Sequence, residues 1–218
     1  MEKDSRTQEN ETLDGLRPEL LIACGLMGVL GNLAPLLTLV IGNLMVPEQG
    51  FFADTISALG DGELHYIMDT GFYLNAGGLL ALSIGAAHYH LGRWDWSLGI
   101  FALAFLALTV TLIGIWDEFH TAADNPPGLS VHTKLTFALG PLFLVGPLLM
   151  IRGARRVWSG YGPLFIASAL LWAVLATIFK LAPNDIDGLF EKLAVAATLL
   201  WVLPLSILMV RAGLRVRS

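Results

Sequence analysis

The chain has 218 residues, 55% hydrophobic and 14% charged, with a formal net charge of −5 and a mean hydropathy of +0.67. A soluble domain is about a quarter charged, so this composition excludes an ordinary soluble globular domain. The acidic balance, without a basic patch interleaved with aromatics, excludes nucleic acid as a partner, and the lone Cys24 excludes an intrachain disulfide or a cysteine metal site.

Taken in order, residues 1–16 read as a polar tail rich in Glu, Asp and Thr, loosely held and too charged to be a signal-peptide leader. The first apolar run, Pro18 to Leu44, is therefore expected to stay as a helix, long enough for the ~20 residues that span a bilayer. Gly25, Gly28 and Gly31 set small residues near one face for close helix contact. Asn32 reads as an interhelical hydrogen bond, and Pro35 predicts a kink.

A polar stretch without Lys or Arg follows, Phe51 to Thr70, carrying Asp54, Thr55, Ser57, Asp61, Glu63, His65 and Asp69. Asp54 is placed to cap a short amphipathic helix over Asp54–Leu59, lying at the membrane surface with Phe51, Phe52, Ile56 and Leu59 toward lipid or the bundle. Asp61-Gly62 ends it as a turn.

The second span is expected over Gly71 to Tyr89. His88 and His90 lie beyond a shared helical face, so they read as interfacial residues and not as a metal pair. The third span runs from Trp96 to Trp116, with both tryptophans in the aromatic belt. After a polar loop containing Asp117, His120 and Pro126-Pro127-Gly128, the fourth span opens at Ser130 and runs to Ile151, broken at Pro141 and Pro147. The fifth covers Pro163 to Leu181. The sixth covers Gly188 to Val210 with Asp187 as its cap, and Lys180 and Lys192 pair with Asp185, Asp187 or Glu191 or snorkel outward.

These spans describe an all-α polytopic membrane protein. The expected architecture is a six-transmembrane-helix bundle over residues 17–211, with a short interfacial helix in the first outer loop and a basic tail at 212–218. Ten of the 13 Lys and Arg fall on the side of the termini, which predicts a multi-pass protein of the cell membrane with both termini cytoplasmic.

That topology collects the acidic loops at the outer face. Ser57, Asn75 and His132 reach a similar depth, so they are candidates to line one outward-facing polar pocket with Asp54 at its rim. Asp117, His120 and His132 carry the nitrogen and oxygen donors that zinc accepts, although their spacing is no known metal motif and the sequence requires no cofactor.

Two function classes follow. One is a protein binding membrane lipid or a small amphiphile in that pocket. The other is an intramembrane hydrolase, metal-dependent if the zinc ligands are real, acting on a lipid headgroup. A transporter is less favoured, because no inverted repeat and no mid-membrane acid or base stands out.

Thr55-Ile-Ser-Ala-Leu-Gly60, then Phe72-Tyr-Leu-Asn75-Ala-Gly77-Gly, resembles the signature of the DUF998 family of six-helix membrane proteins. His132, and Gly188-Leu-Phe-Glu191-Lys192 followed by Trp201, are similar to positions in that family's fourth and last helices. The resemblance covers Leu20 to Val210 and implies six helices and a polar cluster on the outer face; it implies no activity. The chain departs from the pattern at Trp116-Asp117-Glu118-Phe119-His120, where a simpler Phe-Pro turn is expected, so the resemblance assigns no role to Asp117 or His120.

Overall fold

The computed structural model describes residues 15–45, 50–59, 64–115 and 131–217. Seven helices are present among them: α1 Pro18–Met45, α2 Ile56–Leu59, α3 His65–His88, α4 Trp94–Ile115, α5 Val131–Ala154, α6 Tyr161–Leu181 and α7 Asp187–Arg217. All but the single turn α2 are long and apolar enough to cross a membrane, six in total, and no strand occurs among the described residues. This is an all-helical integral membrane protein.

The six spans form a closed ring. Each packs against its neighbour in sequence, and α7 closes the circle against α1. An even number of spans returns the chain to the end where it began, so one end of the ring carries both described termini and the arginines (the basic end). The opposite end carries α2 and the connection to α7 with Asp185 and Asp187 (the acidic end).

The tightest approach is between α1 and α3. A Cβ on Gly31 would stand 2.7 Å from the Gly78 Cα, and one on Gly78 would stand 3.0 Å from the Gly31 Cα. The small residues of α1 do not all serve one partner: Gly25 meets α7 at Val210 and Ser206, Gly28 sits between Ser206 and Leu82, and Gly31 meets α3. In the core, Trp96, Phe165 and Trp201 are fully buried with Leu82, Leu103, Met150 and Leu205.

Several expectations change. The second span begins at His65, not Gly71. Its first turns read as loop because they are polar, but the His65 Nδ1 and Asp69 Oδ2 pair at 2.8 Å across one helical turn, which supports a helix there.

Helix α5 is continuous through Pro141 and Pro147 instead of being broken at them. Packing by neighbours holds a proline-containing span together. Here the Trp172 indole donates to the Gly140 carbonyl at 3.2 Å, beside the first proline. Helix α7 likewise runs through Pro204 and on past Val210 to Arg217.

Trp96 is not a belt residue. It is fully buried and its Nε1 donates to the Ala86 carbonyl at 2.8 Å, while Trp94 and Trp158 are the exposed indoles of that end. Trp116 lies outside the described residues. His88 and His90 have separate partners, the Arg17 backbone N–H donating to the first and Ser97 bonded to the second.

Candidate functional site

The bundle is hollow at its acidic end. A cavity of about 540 Å³ is lined by all six spans together with Thr55 and Ile56. Along α5 its lining runs from His132 to Leu144, three turns and about 18 Å at ~1.5 Å per residue. That is more than half of a ~30 Å hydrocarbon core.

Its walls are mostly apolar, including Phe72, Val110, Ile113, Phe143, Leu144 and Trp172. Phe143 and Trp172 pack with ring centroids 4.7 Å apart, tying α5 to α6 at depth. The polar groups converge from several helices: Asn32, Asn75, His132, Thr136, Lys180 and Glu191. The expected polar pocket is therefore an apolar cavity with a limited set of polar groups. The alternation of periods in sequence shows which helix face is polar, not how six faces combine around a void.

Asn32 and Asn75 form the interhelical bond that Asn32 predicts. The Asn75 amide donates to Asn32 Oδ1 at 3.0 Å, and the Asn32 amide donates back to the Gly28 carbonyl at 2.7 Å. His132 is buried in the first turn of α5 and lines the same cavity. Lys180 closes the rim differently from the expected ion pair, with its ammonium 4.4 Å from the Phe179 ring centroid and 5.6 Å from that of Phe137.

The segment carrying α2 forms one lip of the cavity, and α7 holds it there. The Leu189 N–H donates to the Phe52 carbonyl at 2.9 Å, and the Ile56 N–H donates to Glu191 Oε2 at 2.5 Å. Lys192, buried, donates to the carbonyls of Asp54 and Gly188 and lies 5.3 Å from the Phe51 ring centroid. It therefore neither snorkels nor forms the simple lysine–carboxylate pair; its ammonium bridges the Asp54 carbonyl of the lip to the Gly188 carbonyl in the first turn of α7. Gly188 permits this approach, because a Cβ there would overlap the Asp54 carbonyl.

The expected cap moves by one residue. Thr55 Oγ1 accepts from the Ala58 N–H at 3.1 Å, while Asp54 Oδ2 accepts from the Gly50 N–H at 2.6 Å. The helical part is one turn, Ile56–Leu59, with Ile56 buried against Leu39 and Met68 and with Phe51 and Phe52 exposed.

Of the candidate residues, Asn75 and His132 line the cavity. Asp54 does not, although its neighbours Thr55 and Ile56 do. Ser57 belongs to α2, but its side chain lies outside the described residues, as do Leu59's side chain, Asp61, Gly62, Glu63, Asp117, His120 and Ser130. The zinc set thus reduces to His132 alone, and no three His, Cys, Asp or Glu come together as ligands among the described residues. Sequence reasoning missed Trp172, Thr136 and Glu191 as lining groups. Glu191 was legible as a lysine partner and as part of the family-like stretch, one turn into a span where ionisable groups need partners, but not as a lining group.

The model of a family described as "Protein of unknown function (DUF998)" matches residues 29–208, most of the chain, which belongs to that family. No curated protein and no solved structure matches it.

Proposed function

We propose that this DUF998 family member binds a lipid or small amphiphile in the six-helix cavity, with the apolar chain along α5 and α6 and the polar end at the Asn32, Asn75, His132 and Glu191 groups. The observation that carries this reading is the cavity itself. Its volume falls within the ~300–1,000 Å³ of small-molecule sites, which are mostly apolar with a few convergent polar groups. Its depth of about 18 Å suits an alkyl chain entering from the acidic end.

A cavity-filling variant tests it. Ala176 lines the cavity from α6 and is only partly buried, so Ala176→Trp places an indole where the chain lies. Purified Ala176→Trp is expected to keep its melting temperature within a few degrees and to lose about fivefold or more of the lipid that copurifies with the natural protein, counted by native mass spectrometry. Equal lipid in both proteins sinks the reading.

The proposal places the acidic end on the outer side of the cell membrane, a reading supported by the eight of 11 described Lys and Arg that lie at the other end. Cys24 is buried in α1, so an added cysteine is the only accessible thiol. Ser130→Cys is expected to react with an impermeant maleimide on intact cells, and Ser159→Cys only after permeabilisation. Reversed labelling overturns the orientation and leaves the cavity in place.

A further inference from the structure

Resting on the lipid reading of the cavity, we propose that its occupant is a two-chain membrane lipid taken in sideways. One acyl chain passes between α5 and α6 into the cavity, and the second stays in the bilayer.

A side chain both lines a cavity and stands exposed where that cavity opens. Among the described lining residues, the exposed ones are Phe137 of α5 and Thr177, Lys180 and Leu181 of α6. Those from the lip and from the other four spans are buried or half-buried. The opening therefore lies between α5 and α6. These are also the spans most turned toward lipid, with 22% of their apolar stretches buried against 44–50% in the other four.

The lining of α5 shows how wide the gap is. His132, Thr136, Leu139 and Phe143 point inward. Thr133, Phe137, Gly140 and Leu144 line the cavity too, each one residue on and so about 100° further round the helix. Along that edge α5 meets open space. A Cβ built on Gly140 would have nothing within 4 Å. From α6 the gap is lined by the short side chains of Ala173, Ala176 and Thr177.

The gap closes at depth, where Trp172 packs on Phe143 and donates to the Gly140 carbonyl. It therefore runs from Gly140 out to Thr133, about 10 Å at ~1.5 Å per residue, in the acidic half of the bundle. At its outer end the Lys180 ammonium reaches from α6 toward the Phe137 ring of α5, the level at which a snorkelling lysine meets headgroup phosphate. An acyl chain passing here stays in apolar surroundings, whereas one arriving through water exposes every methylene on the way. Because the gap leads out to lipid, the second chain needs no room inside.

The test follows the entry of deuterated phosphatidylglycerol, and of its single-chain lyso form, into the full chain in mixed detergent micelles. Native mass spectrometry counts bound lipid over time. Thr177→Trp sets an indole in the gap from its membrane edge. It is expected to slow the two-chain lipid about tenfold or more and the lyso form by about threefold at most. Val174→Trp, at an exposed position of α6 that does not line the cavity, should slow neither. Phe137→Ala removes the ring beneath Lys180 and widens the gap, so it should speed the two-chain lipid about threefold. That opposite sign decides the matter if Thr177→Trp does not fold.

Equal slowing of both lipids by Thr177→Trp overturns side entry, because the indole then obstructs the cavity itself. Unchanged entry in Thr177→Trp and Phe137→Ala overturns it too, and the lipid site stands if Ala176→Trp still loses its lipid. If Ala176→Trp keeps its lipid, the site itself fails whatever Thr177→Trp does. A change from dimer to monomer in Thr177→Trp, with entry unchanged, makes the gap a contact between copies and removes the portal.

Discussion

Gly31→Val is expected to lower the melting temperature of the purified protein by roughly 5–10 °C, whereas Gly77→Ala leaves it unchanged or raises it. The contrast separates two glycine roles that look alike in sequence. A side chain on Gly31 points into the backbone of α3, meeting the Leu74 carbonyl and, at 2.7 Å, the Gly78 Cα. Backbone cannot rotate aside, so α1 and α3 must separate along the whole contact. Overpacking costs about 1–3 kcal/mol, and about 2–4 °C is lost per kcal/mol in a chain of this size; the rigid neighbours favour the upper end.

Gly77 is adjacent to Gly78, yet nothing lies within 4 Å of a Cβ built on it. Alanine there removes only the helix penalty of glycine, about 1 kcal/mol in water. Thermal unfolding followed by circular dichroism or tryptophan fluorescence measures both variants. Equal effects of the two substitutions would mean that α1 and α3 do not meet at this register.

The same contrast marks the limit of what the chain states before it folds. Six spans are legible because membrane spans need long apolar runs, and each run is bounded by charge or proline. Asn32 was legible as a hydrogen-bonding group because an amide inside an apolar span needs a partner. Its partner was not, since Asn75 lies 43 positions away and only the packing of α1 on α3 brings the two together.

Trp96 shows the opposite error. A tryptophan at a span end reads as interfacial, but the Ala86 carbonyl at the end of α3 draws it inward, and Trp94 takes the exposed position. The cavity is the least legible feature. Its walls come from every span, so no single stretch announces it, and the apolar residues that line it look like those that fill a core. Gly188 and Lys192 stand out in sequence, but not for the contact they make. Their significance depends on the lip of residues 50–59 folding over the start of α7.

The Asn32–Asn75 bond permits a test of what the cavity's amides do, because removing one partner and removing both have different consequences. Asn32→Leu leaves the Asn75 amide beside the cavity without its acceptor, and Asn75→Leu leaves Asn32 Oδ1 without its donor. An orphaned buried polar group costs about 1–3 kcal/mol, although hydrogen bonds between membrane helices average nearer ~0.6 kcal/mol with a maximum of ~1.7. Each single substitution is therefore expected to destabilise the protein by about 1 kcal/mol, and the double variant by less than the two together, with a coupling of about 0.5 kcal/mol or more.

Lipid retention should behave differently. If the amides meet the polar end of the bound amphiphile, Asn32→Leu/Asn75→Leu recovers stability without recovering lipid, because leucines restore packing but offer no donor or acceptor to a headgroup. A double variant that regains both stability and copurifying lipid would reduce the pair to a link between α1 and α3 and remove the polar anchor from the proposed site. Additive stability losses would go further and show that the amides are not bonded to each other in the membrane.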